Sequence, residues 1–145
     1  MKRRSLIVLV ALAVALAAAA CSSSSSSPSA AAASVVGTWQ WTASTEAAPA
    51  SQSVVPDPEN YTITFASDGT YSGKADCNQI AGTYTVDGSN LTIAPGPSTL
   101  AFCGEASLDA IYVAGLGKVA TYAISGDQLT MTFTDAAGTM TFTRA

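Results

Sequence analysis

Histidine is absent from the 145 residues of the chain. Its absence excludes Ser-His and Cys-His nucleophilic pairs, histidine zinc ligands and histidine acid–base catalysis. The acidic residues show no calcium-loop spacing either. We therefore expect a protein that is not an enzyme and that carries no cofactor and no metal.

Charged residues are also scarce, and basic ones are the scarcest: six Lys and Arg stand against ten Asp and Glu. Lys2, Arg3 and Arg4 precede Cys21, whereas every acidic residue follows it. Three basic and ten acidic side chains therefore follow Cys21, a net charge of −7. This balance argues against a nucleic acid partner, and against attachment to a membrane through a polybasic patch.

The apolar run Leu6–Ala20 is shorter than the roughly 20 residues that a bilayer span requires. Behind a positive N-terminus, it fits the apolar region of an export signal. The segment ends Leu16-Ala-Ala-Ala-Ala-Cys21 and resembles the lipobox of bacterial lipoproteins, with Ala18 where leucine is usual. We expect a signal peptide over residues 1–20 and acylation of Cys21; the alternative is an ordinary signal peptide with an incidental cysteine.

Residues 21–34 contain a run of serines, Ser22–Ser27, followed by Pro28 and an Ala/Ser stretch. Such a composition cannot bury apolar area, so the segment reads as a flexible tether spanning about 20 Å. The expected location is extracytoplasmic, on the periplasmic or outer-surface side. The membrane is then a partner through the N-terminal lipid anchor.

From Val35 onward, apolar residues alternate with hydroxyl residues between Asp/Gly turns. Tyr61, Ile63 and Phe65 alternate with threonines, and the run Leu129–Phe133 repeats the pattern. This period of two indicates antiparallel hairpins with one buried face. Residues 35–145 are therefore predicted to form one mainly β (α+β) domain. Its antiparallel, partly closed sheet has about eight strands with one short helix packed on it.

The segment Ser107–Lys118 breaks the alternation. Its apolar residues fall at helical spacing on one side: Leu108, Ile111, Tyr112 and Leu116. Ser107 is a suitable N-cap, while Gly115 and Gly117 leave a loop as the alternative. Residues 43–59, rich in Ala, Ser and Pro, are expected to be a long irregular connection and a variable binding edge.

Cys77 and Cys103 remain once Cys21 is assigned to the lipid. Two cysteines outside the cytoplasm predict a disulfide, worth about 3–4 kcal/mol on the loop-entropy model. The alternative is a reactive thiol, for which the nearest cation in the sequence is Lys74.

An ordered series of motifs spans the domain: Val36-Gly-Thr-Trp39, Tyr61-x-Ile-x-Phe65, Gly73-x-x-x-Cys77-Asn78, Gly82-x-Tyr84, Ser98-Thr99-x-x-x-Cys103 and Gly126-Asp-Gln-Leu129. Over about residues 35–143, the chain resembles the META domain family, also called HslJ-like. The resemblance implies a small β-rich domain with one helix, common in envelope lipoproteins and without established catalytic residues. It also implies a link to heat shock and to novobiocin tolerance.

Asp76, Asn78 and Thr99 are the candidate partner-binding residues, being polar and next to the expected disulfide. The structural alternative is that Asn78 caps a turn and Thr99 hydrogen-bonds backbone. Family members often have glycine where this chain has Asp76, which argues against a tight turn there. A carboxylate cluster of Asp76, Glu105 and Asp109 is an acid–base alternative, but scattered acids are expected on so acidic a surface.

These features predict a monomeric, non-enzymatic envelope lipoprotein that binds an unknown envelope protein or small molecule, or that counters envelope stress. An inhibitor of a secreted cell-wall hydrolase is the alternative, because an acidic surface complements cationic lytic enzymes. A small hydrolase would need a nucleophile and base that the sequence does not offer.

Overall fold

The computed structural model describes residues 34–145. The signal peptide expected over residues 1–20, the lipidation of Cys21 and the tether up to residue 33 lie outside the described residues. Statements about them remain predictions.

The described chain forms nine strands and one α-helix, with two short 3₁₀ turns at Pro58–Asn60 and Thr134–Ala136. The strands are β1 (Gly37–Ala47), β2 (Ala50–Val54), β3 (Tyr61–Phe65), β4 (Thr70–Ala75), β5 (Asn78–Asp87), β6 (Asn90–Ser98), β7 (Val119–Ser125), β8 (Gln128–Phe133) and β9 (Gly138–Arg144). The helix, α1, runs over Asp109–Leu116 in the connection from β6 to β7.

All strand pairs are antiparallel, and the order β1-β3-β4-β5-β6-β7-β8-β9 closes because β9 also pairs with β1. The result is an eight-stranded barrel, with β2 as an additional strand beside the second half of β1. This confirms the mainly β prediction with one helix. Closure is uneven, since β6 and β7 share only the register pair Asn90–Thr121.

The register defines two ends of the barrel. At the "hairpin end", Trp39 of β1 pairs with Arg144, and the chain enters at Val35. At the "helix end", Glu46 of β1 pairs with Gly138. The β4–β5 turn, the segment 99–108 and α1 lie at the helix end, because β4 and β6 end there and β5 and β7 begin there.

Tyr112 of α1 fills the helix end of the barrel. Its ring stacks on Trp41 with centroids 5.2 Å apart, and it lies 5.8 Å from Tyr61 and 6.3 Å from Phe142. All four side chains are buried. Because large aromatic rings remove much apolar area from water, this cluster is the centre of the core.

Two details of the predicted helix are wrong. Ile111 was expected on the buried side but is 55% exposed, whereas Tyr112, Gly115 and Leu116 are the buried residues of α1. The buried side of α1 is centred on Tyr112, and Ile111 lies about 100° around the helix from it, at the edge of that side. Gly115 lets the helix lie close to β9, since a Cβ there would be 2.7 Å from the Met140 sulfur. The N-cap residue is Leu108 and not Ser107, although the Ser107 hydroxyl oxygen accepts the amide of Asp109, the first residue of α1, at 3.2 Å.

The prediction of an irregular connection over residues 43–59 is also wrong. β1 continues to Ala47 and forms a hairpin with β2. A bulge between Trp41 and Ala43 shifts the alternation, so Trp39, Trp41 and then Ser44 are buried. The shift hides the period of two, and the small Ala and Ser side chains give little apolar signal.

The Tyr112 hydroxyl is the one buried side-chain polar atom among residues 34–145 without a hydrogen-bond partner. Burial, with a smaller contribution from Tyr71, raises the pKa of Tyr112 well above its ordinary value. The unfolded chain therefore ionises first. The stability that depends on neutral Tyr112 is present below about pH 10 and is lost as the pH rises beyond it.

We predict that Tyr112→Phe raises the free energy of unfolding by about 1 kcal/mol at neutral pH, because it removes an unsatisfied hydroxyl. It also moves alkaline unfolding to higher pH. Urea unfolding followed by circular dichroism from neutral to about pH 11 measures both effects. Tyr122→Phe, at a half-buried ring, keeps the tyrosine number equal. A lower alkaline midpoint for Tyr112→Phe than for this control contradicts the prediction.

Candidate functional site

Cys77 and Cys103 form a disulfide at the helix end, with Cα atoms 5.5 Å apart. The bond joins the β4–β5 turn to the segment that follows β6. Neither sulfur is a free thiol in this arrangement, so the pair acts as a cross-link. The segment from Thr99 to Cys103 is thereby fixed at its far end.

Asn78 holds the same segment from the other side. Its side chain is 4% exposed. Nδ2 donates to the Ala101 carbonyl at 3.0 Å and to the Asp109 carboxylate at 3.1 Å. Oδ1 accepts from the Ala101 amide at 2.8 Å and from the Thr99 hydroxyl at 3.0 Å. One buried amide thus connects β5, the segment 99–103 and the first residue of α1.

Thr99 completes this network, because its hydroxyl oxygen accepts the Gln79 amide at 2.9 Å. The structure therefore brings two of the three candidate residues together, but their polar atoms bond within the domain. Buried and fully satisfied groups of this kind stabilise the fold. These contacts support the structural alternative for Asn78 and Thr99.

Asp76 occupies the two-residue turn between the paired residues Ala75 and Asn78. Its φ is +58°, a left-handed conformation that glycine adopts easily and that aspartate tolerates better than most residues. The expectation that Asp76 argues against a tight turn is therefore wrong. Its amide donates to the Asn60 carbonyl at 2.7 Å, and its carboxylate accepts the Tyr61 hydroxyl at 3.4 Å.

The carboxylates near the disulfide accept hydrogen bonds from structural groups. Asp109 takes the Asn78 amide and the Ser107 hydroxyl, the latter at 3.2 Å. Tyr61, which donates to Asp76, also accepts the Leu108 amide at 2.9 Å. Across the described part of the chain, no three Cys, Asp or Glu side chains lie close enough to hold a metal ion.

Several apolar side chains beside this network are exposed, which was not predicted from the sequence. Leu100 is 92% exposed and Phe102 is 84% exposed, and they flank Ala101 in the segment held by Asn78. Ile111 on α1 is the third such side chain at the helix end. A signal was present, since two large apolar residues interrupt a polar segment directly before Cys103.

Two grooves run along the sides of α1. The first has a volume of about 250 Å³ and lies between α1 and the barrel wall at Trp41, Phe133 and Met140. The second, of about 330 Å³, lies between α1 and the segment of Thr99 and Leu100. Ala110 and Ala114 line both grooves, so only small side chains separate them. We call Leu100, Phe102, Ile111 and these two grooves the helix-end surface.

The helix end of the barrel carries an excess of acidic residues. The first groove is bordered by Lys118, whose Nζ lies 3.6 Å from a Glu46 carboxylate oxygen, and the second is bordered by Asp109. Most of the acidic side chains of the domain lie in elements at this end: Glu46, Asp57, Glu59, Asp76, Glu105, Asp109 and Asp135. Lys74 and Lys118 are the lysines there. The helix-end surface is thus apolar and lies at the end of the barrel that carries these seven acidic residues, which we call the acidic rim.

Among residues 34–145 the helix is too short to cross a lipid bilayer.

Comparison with known proteins gives a family and two similar structures. The family model described as "META domain" matches residues 33–145. No curated protein sequence matches the chain. A DUF4847 family protein from Bacteroides vulgatus has a similar structure (TM-score 0.61, 16% identity, 75% of this chain and 92% of that one). So does a protein from Burkholderia xenovorans (TM-score 0.59, 22% identity, 75% and 81%). At these identities, the likeness shows the fold alone.

We predict that Asn78→Asp lowers the free energy of unfolding by about 2–4 kcal/mol at neutral pH. The substitution keeps the shape, removes both N–H donors and places a carboxylate beside Asp109. The loss should diminish as the pH falls toward about 4, because protonation of the introduced carboxylate restores a donor at position 78. Denaturant unfolding at both pH values is the measurement, with Asn90→Asp as the same change at an exposed position. A decrease in the free energy of unfolding that is independent of pH would show that the N–H groups of Asn78 do not connect these elements.

Proposed function

The chain belongs to the META domain family, and from this premise we propose that it is a non-enzymatic binding protein of the cell envelope. In this proposal Cys21 carries the lipid anchor, and the helix-end surface contacts an envelope protein. The binding would serve tolerance of envelope stress and of antibiotics such as novobiocin.

The exposure of Leu100 and Phe102 carries the proposal. Large apolar side chains that are grouped on a surface are typical of interaction sites. Here they project from a segment that the Cys77–Cys103 disulfide fixes at one end and Asn78 fixes in the middle. Because the segment is already held in place, little conformational entropy is lost when a partner binds it.

The position of the surface supports a partner outside the membrane. The chain enters the domain at the hairpin end, where the Val35 carbonyl accepts the Trp39 indole N–H at 2.7 Å. The helix-end surface lies at the opposite end of the barrel. The proposed anchor is therefore joined to the domain at the end opposite to this surface.

A second candidate function is inhibition of a secreted cell-wall hydrolase, favoured by the acidic rim at the helix end of the barrel. Cationic lytic enzymes would be attracted to such a rim, and their activity would fall most at low salt. Mixing the protein with lysozyme at low and at high salt tests this function. Undiminished lysozyme activity at low salt would rule out this enzyme as the target.

For the main proposal, we predict that a photo-crosslinker at position 102 gives a discrete protein adduct in cells, whereas one at position 86 does not. Val86 is a suitable control because it is 42% exposed at the hairpin end. Adding Leu100→Ser should reduce the adduct at position 102 by about tenfold, the usual effect of losing one central apolar contact. It should change stability by less than about 0.5 kcal/mol, because Leu100 is exposed.

Two results would contradict the proposal. One is an adduct at position 102 that is insensitive to Leu100→Ser. The other is a deletion strain with unchanged tolerance of heat and novobiocin. That result would contradict the stress role, and the proposed binding of an envelope protein would stand alone. Complementation with Cys21→Ala compares the anchored and unanchored forms in the same strain.

A further inference from the structure

β2 has one edge without a partner strand. It is the terminal strand in the sheet order and pairs only with β1, from Ala43–Val54 to Ala47–Ala50. Each of its five residues is exposed. The outer edge of β2 is therefore an open edge of the described sheet, although β1 and β3–β9 form the ring of the barrel.

The hydrogen-bonding direction of each β2 residue follows from its two ends. The Val55 amide donates to the Thr42 carbonyl at 2.9 Å, so residue 55 faces β1. At the other end, the Ala47 amide donates to the Ala137 carbonyl at 2.9 Å and so faces away from β2. Backbone groups alternate along a strand. Ser51 and Ser53 therefore pair with β1, while Ala50, Gln52 and Val54 direct their N–H and C=O groups outward.

This edge also lacks the features that usually prevent strand addition. Proteins protect open edges with charged side chains, prolines, bulges or a covering element. Residues 50–54 contain no charged residue and no proline, and their pairing with β1 is regular. Val54 is 74% exposed. Outward backbone groups and an uncharged surface together fit an extended polypeptide.

A second copy of the chain is a poor occupant for this edge. A stable interface buries about 800 Å² on each partner, and a pair of five-residue strands supplies only a fraction of that area. The two copies would also bring together side chains with a net charge of −7 each. An extended segment of a partner polypeptide that is neutral or basic avoids this charge repulsion, and the rest of the partner can add buried area.

We propose that the outer edge of β2 is a strand-addition site for an extended, neutral or basic segment of a partner polypeptide. The main-chain groups of Ala50, Gln52 and Val54 supply the hydrogen bonds. The site shares no residue with the helix-end surface, so it is independent of the function proposed above.

The test uses a random peptide library displayed on phage and selected against the full chain in detergent. Selected peptides are synthesised and their affinities measured for three proteins. Gln52→Pro removes the outward N–H without removing a hydrogen bond to β1. Gln52→Thr changes the same side chain but keeps that N–H. We expect Gln52→Thr to bind like the wild type and Gln52→Pro to bind about tenfold more weakly.

Amide hydrogen exchange of the wild type gives a second measurement that does not depend on how Gln52→Pro folds. Bound peptide should slow exchange at Gln52 and Val54, whose amides point outward. The proposal is overturned if no peptide is enriched, or if bound peptides leave these two amides unprotected. Sedimentation equilibrium tests whether a second copy of the chain occupies the edge. If the wild type is a dimer and Gln52→Pro is a monomer, β2 pairs with a second copy and the proposal is overturned.

Discussion

The insertion of Tyr112 among Trp41, Tyr61 and Phe142 is the interaction on which the rest of the structure depends. A closed barrel buries the inward side chains of its strands, but its open ends leave aromatic faces in contact with water. α1 covers one end by contributing a single large ring. Its position then fixes the two grooves, and the glycine at position 115 sets how closely the helix approaches β9.

The second constraint is the pair of attachments on the segment after β6. A disulfide and a buried amide hold the same few residues from two directions. The polar groups of Asn78 and Thr99, which the sequence suggests as binding residues, form hydrogen bonds within the domain. The exposed side chains of the segment are the apolar ones of Leu100 and Phe102. The helix end therefore combines buried polar groups that hold the segment in place with apolar side chains that are exposed to solvent.

Much of the barrel could be predicted from the sequence because inward positions of ordinary strands alternate strictly. The strand Tyr61–Phe65 is an example, because its alternating residues Tyr61, Ile63 and Phe65 are buried as predicted. The hairpin of β1 and β2 could not be recognised, since a bulge changes the phase and alanine and serine resemble loop residues. Ile111 was misplaced because the spacing of apolar residues predicts a broad helical stripe but does not show which of its residues lie at the exposed edge. The exposure of Leu100 and Phe102 was not predicted, because the hydrophobicity of a side chain does not by itself show whether it is buried or exposed.

The weak join between β6 and β7 has a consequence for how such a domain can diversify. These strands share one register pair, and the chain between them, residues 99–118, leaves the sheet instead of continuing its ladder. Residues inserted or removed in this stretch would disturb few inter-strand hydrogen bonds, provided that Cys103 of the disulfide and the buried Tyr112 are kept. The same barrel can thus accommodate different sequences and lengths between β6 and β7 without a change in its other strand pairs.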